Sequence, residues 1–223
     1  MCFSATASFV TAGLTCAVGI AAIARVRAPR DIPLAATPLF FALQQTIEGL
    51  LWLNLPAAGD ATIVAILTLV FLIFAEVFWP VYAPIAAILV EPDKTRRKLM
   101  RACLVLGIAV GAYLLWRIYS QPIGATLIDG HIAYRTGRGH PLILGLAYLA
   151  ATGLPLILSS QRTLVALGTI IMVGAVVAFV FYWEALVSVW CFFAAAASLV
   201  ILFHFETLRR LSPQSPLARG HAG

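Results

Sequence analysis

The sequence predicts an all-α fold: a polytopic membrane helix bundle of seven transmembrane helices, N-terminus outside and C-terminus inside, with a short outer β-hairpin loop. Three observations lead there. First, of 223 residues 62% are apolar and only 11% charged, with a mean hydropathy of +0.98, whereas about a quarter of a soluble domain is charged. Lipid must therefore be the solvent for most of the chain. Second, apolar runs recur at roughly the 20-residue length that carries a helix across a bilayer core of about 30 Å. Seven such runs with short loops fill residues 1–211, a single transmembrane domain. Third, the basic residues gather in alternate connections. That pattern marks membrane topology, so the formal charge of +6 does not point to nucleic acid. The lipid bilayer is the expected partner.

The first run extends from Ser4 to Val26 and closes on Arg25, Arg27 and Arg30. It lacks a basic leader, and Gly13-Leu14-Thr15 before Cys16 is a poor cleavage context, so a retained helix is predicted in place of a signal peptide. The second opens after Asp31 and Pro33, a helix-start arrangement, and reaches Asn54, where Pro56, Gly59 and Asp60 make a turn. The third stays apolar from Ala61 to Val90, too long for one straight span. Pro80 and Pro84 should kink or break it, since each removes a backbone donor and crowds the preceding turn. A charged loop follows, from Glu91 to Arg101, and the fourth run covers Leu99 to Tyr119 with Trp116 and Tyr119 as interfacial anchors.

Within the polar connection Gln121–His140, Ala125–Ile128 and His131–Tyr134 flank Asp129-Gly130. An Asp-Gly pair between short apolar stretches is a hairpin signal, because both central residues must adopt positive φ. The fifth run spans Pro141 to Leu158. The sixth and seventh share Thr163–Thr207, which must fold back once, with Tyr182-Trp183-Glu184 as the predicted corner. Residues 212–223 are rich in Pro and Gly and read as a mobile tail. If connections alternate sides, twelve Lys and Arg fall on one face of the membrane and only Arg117, Arg135 and Arg138 on the other. The positive-inside rule then fixes the orientation and requires an odd number of spans.

An ionisable group inside a span costs about 2.5–3.5 kcal/mol on insertion scales, which makes each a functional candidate. Glu48, Glu76 and Glu184 qualify. Gln44, Glu48 and Trp52 recur every four residues and share a helix face, with Gln45 beside them. At 1.5 Å per residue Glu48 should lie roughly 10 Å below the outer end of its helix, and Glu76 about 22 Å below, in the inner half. The two carboxylates are thus expected to be too far apart for an acid–base pair. Glu76, just before the Pro80/Pro84 break, marks a second polar site where freed carbonyls could bind a cation or proton donor. The competing explanation for either carboxylate is a protonated acid hydrogen-bonded to a neighbouring helix. Glu184, at the outer corner, is expected to be solvated.

Cys2, Glu48, His140 and Cys191 could converge at the outer mouth as an N/S/O site suited to zinc or copper. No H-x-x-x-H, H-E-x-x-H or C-x-x-C spacing accompanies them. The four cysteines are scattered and imply no disulfides; Cys16 and Cys103 read as small buried hydrophobes. His131 falls in the outer loop and His221 in the tail, while His204 should snorkel or cap near the inner interface. Ser4, Thr6, Ser8 and Thr11 suggest a close helix-packing surface. There is no G-x-S-x-G elbow, Walker loop or dinucleotide fingerprint, and no lysine within a span for a retinal Schiff base.

The opening Met1-Cys2-Phe3-Ser4-Ala5-Thr6-Ala7-Ser8-Phe9 resembles the start of a family of uncharacterised bacterial multi-pass membrane proteins. Leu43-Gln44-Gln45-Thr46-Ile47-Glu48-Gly49-Leu50-Leu51-Trp52 and Ser188-Val189-Trp190-Cys191-Phe192-Phe193-Ala194-Ala195 are similar to that family as well. The resemblance covers the full chain and implies the cell inner membrane of a bacterium, without an activity. Span count and orientation also resemble the seven-helix membrane hydrolases that include alkaline ceramidases, but the paired histidines of their zinc site are absent here.

Three functions follow as expectations. The first is a small-molecule binding or sensing protein with an outward-facing polar pocket lined by Gln44, Glu48 and Trp52, aided by Glu76 and lidded by the hairpin. The second is a metal-dependent membrane hydrolase acting on a lipid-like substrate. The third is a proton- or cation-coupled small transporter using Glu48 and Glu76.

Overall fold

The computed structural model describes residues 4–55, 60–128, 130–135, 141–181 and 186–211. Among them are seven helices and one two-stranded sheet. In chain order these are α1 (Ala5–Ile23), α2 (Ile32–Asn54), α3 (Ala61–Val90), α4 (Lys94–Ser120), β1 (Gly124–Ile128), β2 (His131–Arg135), α5 (Pro141–Ile157), α6 (Arg162–Phe181) and α7, formed by Leu186–Ala197 and Leu199–Leu211. Five of the helices (α1, α3, α4, α6, and α7 over Ser188–Arg210) are long and apolar enough to cross a membrane. α5 is shorter, and α2 carries Gln44, Gln45, Glu48 and Asn54, which lower its hydropathy. The predicted corner Tyr182-Trp183-Glu184 and the tail 212–223 lie outside the described residues.

The helix starts obey local chemistry. Ser4, Asp60 and Asp93 each accept a first-turn N–H, from Ala7, Thr62 and Arg96, filling donors that the helix itself leaves open. Asp93 also explains why α4 begins well before the apolar run: once capped, Lys94–Arg101 continue as helix, being good helix formers. α1 lies along α2 through a stripe of small residues, Ser8, Ala12, Thr15, Gly19 and Ala22. At Gly19 an added Cβ would fall 2.5 Å from Leu39 Cδ2. Close backbone approach of this kind is how helices associate without a hydrophobic drive. Ser8 belongs to that surface as expected, whereas Thr6 is exposed.

In α3 the prolines do not break the helix. The distortion is a wide π turn over Ile73–Phe78, immediately before Pro80, and the helix runs on through Pro84. The hydrogen-bond accounting is specific. The Trp79 N–H reaches back to the Phe74 carbonyl, so it is not available to Ala75, and the next candidate donor is Pro80, which has no N–H. The Tyr148 hydroxyl of α5 supplies the missing donor to the Ala75 carbonyl. One turn later Pro84 leaves the Pro80 carbonyl open, and α4 meets it at Gly107, where a Cβ would stand only 1.8 Å from that oxygen.

The bundle has two dissimilar ends. The hairpin end holds β1 and β2, paired antiparallel with Ile128 opposite His131. Gly130 has φ 74°, as a tight two-residue turn requires; Asp129 is outside the described residues. Ile132 is fully buried against Ile47, Leu51, Phe71, Ala75 and Cys191, and Tyr134 stacks on Phe71 with centroids 4.4 Å apart. The basic end carries Arg25, Arg27, Arg30 and the Lys94–Arg101 cluster over an apolar core of Ala22, Leu34, Ala35, Ala86, Ala87 and Met100.

Candidate functional site

Because 3.6 residues make a turn, Gln44, Gln45 and Glu48 project from α2 toward the bundle axis, and all three are fully buried. Gln44 bridges two helices: its amide donates to Cys191 Sγ (3.1 Å) and its carbonyl accepts from Trp79 Nε1 (2.7 Å). Phe41, one turn earlier, stacks on Trp79 at 4.1 Å. Glu48 accepts from Gln45 Nε2 (3.2 Å) and from the Ser188 hydroxyl (2.5 Å). A carboxyl held by an amide and a hydroxyl away from water is how polar groups persist in a span. Trp52 belongs to the apolar cluster beneath the hairpin, and its buried Nε1 has no hydrogen-bond partner among the described residues.

Two cavities lie beside this cluster. One, about 60 Å³, occupies the middle of the bundle and is walled by Phe41, Trp79, Tyr82, Tyr148, Trp190 and Cys191 among others. The other, about 360 Å³, lies in the hairpin half between α4, α5, α6 and the start of α7. Among the described residues its wall is apolar apart from the Tyr148 hydroxyl, the Trp190 indole and two buried ionisable groups, Glu76 and Arg117, each 7% exposed. Tyr148 and Trp190 line both cavities and meet edge-on at 5.1 Å, so this pair forms the partition between them.

The structure brings Glu76 to a different level from the one its position in the chain suggests. α3 has 30 residues, about 45 Å of helix, and its first turns rise past the core to pack Val64, Leu67 and Phe71 with the hairpin. Glu76 consequently shares a cavity with Arg117 in the last turn of α4, and both carboxylates stand near enough to Cys191 to act on it electrostatically. Of the other expected pocket residues, Gln44, Glu48 and Trp52 line neither of these two cavities; Gln44 touches the first cavity's wall through Trp79 and Cys191.

For the expected metal site, Cys2 and His140 lie outside the described residues, as does Glu184. Among the described residues no three His, Cys, Asp or Glu side chains are grouped to hold a metal ion. Cys16 and Cys103 are half-buried free thiols, and His204, instead of snorkelling, is buried with Nδ1 against the Thr163 hydroxyl. Sequence reasoning missed Arg117, Tyr148 and Trp190. Arg117 was open to discovery, being a cation two turns after a glycine pair inside an apolar run; Tyr148 and Trp190 look like ordinary core aromatics.

A second polar constellation ties the opposite end. Glu91 is buried, and its Oε2 accepts from Ser159 Oγ (2.9 Å) and the Ser160 N–H (2.8 Å) while Oε1 accepts from the Asp93 N–H (3.1 Å). Burial alone would raise this carboxyl; the donors of Ser160, Asp93 and Ser159 outweigh it and hold the group below its ordinary value. Arg96 donates to the Leu158 carbonyl (2.8 Å) and Gln161 to the Val90 carbonyl (2.8 Å). The result is a clasp between the α3–α4 and α5–α6 connections.

A family model described as a family of unknown function (DUF6629) matches residues 1–216. The chain belongs to that family. No curated protein and no solved structure matches it.

Proposed function

We propose that this member of the DUF6629 family is an integral membrane protein that binds or senses a small molecule in the cavity beside Glu76 and Arg117. One observation carries the reading. A space of about 360 Å³ with apolar walls has a carboxylate and a guanidinium buried in those walls. Ligand sites combine apolar linings with a few converging polar groups at this scale, and ionisable groups sunk in a span mark function. Glu76 meets the ligand; Gln44 and Glu48 act from behind, holding Trp79, Cys191 and Ser188 in place.

In this reading all seven helices span the cell inner membrane, N-terminus outside and C-terminus inside. The distribution of Lys and Arg supports the orientation. α2 qualifies as a span because its polar side chains are turned into the bundle and not toward lipid. The hairpin end is then the outer end, and residues 1–211 form one transmembrane unit.

The test uses a glycine. Gly145 is exposed yet lines the cavity, as a residue at its mouth does, and a Cβ built there meets nothing within 4 Å, so Gly145→Phe crowds the entrance without displacing backbone. Purified wild-type protein should carry a bound molecule that solvent extraction and mass spectrometry detect, and Gly145→Phe should lose it while keeping its helical circular dichroism. An empty wild-type extract, or equal loading of the variant, overturns the reading.

A further inference from the structure

We infer that the first two turns of α4 form a binding face for an anionic glycerophospholipid of the phosphatidylglycerol class, its phosphate across Lys94, Arg97, Lys98 and Arg101 and its chains along Val105 and Ile108. The face lies at the opposite end of α4 from Arg117 and stands independently of the cavity.

Spacing is the first observation. Lys94, Arg97, Lys98 and Arg101 hold positions i, i+3, i+4 and i+7 of one helix, so they share a face, where like charges repel. Lys94, Lys98 and Arg101 are exposed and Arg97 is half-buried. Arg96 points the other way and donates to the Leu158 and Ser159 carbonyls.

The second is the lack of an internal counter-charge. The carboxylates of this end are Asp31, Glu91, Asp93 and Glu206, and each is engaged elsewhere. Asp31 lies beside Arg30 (3.8 Å), and Glu206 pairs with Arg25 (2.8 Å) and Arg210 (3.1 Å). Glu91 accepts from Ser159 and Ser160, and Asp93 from the Arg96 N–H. Among the described residues none of them forms an ion pair with the four cations; Arg97 donates to the Pro92 carbonyl (3.2 Å). Basic clusters of this size beside a membrane span attract anionic headgroups.

Continuity is the third. Along the same face the cations give way to Val105 and Ile108, 67% and 51% exposed, then to exposed Ala112 and to Trp116. From Lys98 to Trp116 is about 27 Å of helix, close to the hydrocarbon thickness of about 30 Å. With Trp116 at one interface, Lys98 and Arg101 stand at the phosphate level of the other. This selects a lipid over a soluble anion, because a phosphate held by the basic turns has its acyl chains against Val105 and Ile108. Net charge selects the headgroup. The ammonium of phosphatidylethanolamine would sit among four cations, whereas a glycerol head leaves the phosphate uncancelled for the guanidinium forks and the lysines.

The experiment is native mass spectrometry of the full-length protein, equilibrated with phosphatidylglycerol and phosphatidylethanolamine in equal amounts and with matched chains, soluble glycerophosphoglycerol serving as competitor. In about 0.1 M salt the wild type should retain phosphatidylglycerol about tenfold over phosphatidylethanolamine, and the preference should fall as salt rises to about 1 M and shortens the reach of exposed charges to about 3 Å. Lys98→Gln and Arg101→Gln should each lower the preference about fivefold, and together should erase it. Arg209→Gln with Arg210→Gln, which removes cations already facing Glu206, should leave it unchanged, as should Gly145→Phe at the separate cavity. Soluble glycerophosphoglycerol should not compete. Equal retention of the two lipids by the wild type, or a preference that survives the Lys98 and Arg101 substitutions, overturns the site. An equal loss in the Arg209 and Arg210 variant overturns this face in favour of the charge of the whole end. Loss in Gly145→Phe moves the lipid into the cavity and overturns it too. Competition by the soluble headgroup overturns the lipid in favour of a free anion. If the double variant fails to fold, the single variants and the salt series decide, a preference indifferent to salt overturning the proposal.

Discussion

The two ends of this bundle treat buried polar atoms in opposite ways. At the basic end buried Glu91 is matched with Ser159 and Ser160 and buried His204 with Thr163, and the half-buried Gln161 and Arg25 are matched with Val90 and, at 2.8 Å, with Glu206. Arg97 Nε is the exception among the described residues. At the hairpin end the Ser8 and Thr68 hydroxyls, Gln45 Oε1 and Trp52 Nε1 are buried without a hydrogen-bond partner, and the larger cavity opens there. An unmatched buried polar group costs about 1–3 kcal/mol. Natural folds leave such local conflicts chiefly where function asks for them. Under the proposed function the basic end serves as the scaffold and the hairpin end as the site.

Three substitutions probe that division, from the largest expected effect to the smallest. Gly107 marks the waist between the halves, and a Cβ there collides with the Pro80 carbonyl at 1.8 Å. Gly107→Ala should therefore cost about 4 kcal/mol or more, read as a collapse of the melting temperature in detergent, with both ends loosening together in hydrogen exchange. Loosening confined to one end would break the picture of two halves sharing a waist.

Glu48→Ala removes the acceptor for Ser188 and Gln45 and should cost about 2–3 kcal/mol, whereas Glu48→Gln, which still accepts, should cost less than about 1 kcal/mol. Equal losses in thermal melts of the two variants would mean that a charge, and not an acceptor, is what the cluster needs.

The smallest effect belongs to the clasp. Glu91 has its carboxyl held below the ordinary value of 4.5, so its contribution is whole above that pH and is lost as the pH falls through the lowered folded value. Glu91→Gln should lower the melting temperature by roughly 2–4 °C at pH 7, about one net hydrogen bond, and should flatten the acid limb of a melting-temperature profile between pH 7 and 3. A variant whose acid limb matches that of the wild type would remove Glu91 from the clasp.

Much of the architecture was legible because lipid imposes simple rules. Ala61–Val90 and Pro141–Ile157 follow from apolar length, and the hairpin from Asp129-Gly130, with each strand one residue longer at its outer end than the alternation suggested. The inward Gln44–Glu48 face followed from helical spacing. What escaped has a common cause: each feature depends on a partner distant in sequence. Pro80 predicts a disturbed helix, but its form as a π turn is settled by Tyr148, some seventy residues away. Counting from Ala61 misplaced Glu76 because nothing local says that the first turns of α3 stand beside the hairpin. Arg117 counted only as a topology charge until α5 and α6 were seen to enclose it.

The wide turn at Ile73–Phe78 has a genetic corollary. A π turn accommodates one surplus residue inside an otherwise regular helix. Deleting a single residue from that hexapeptide would let Ala61–Leu72 and Trp79–Val90 keep their faces in phase while erasing the bulge that displays Glu76. Relatives trimmed by one codon at this place would retain the architecture and forfeit the acidic wall of the chamber, making that codon a natural marker for sorting the family.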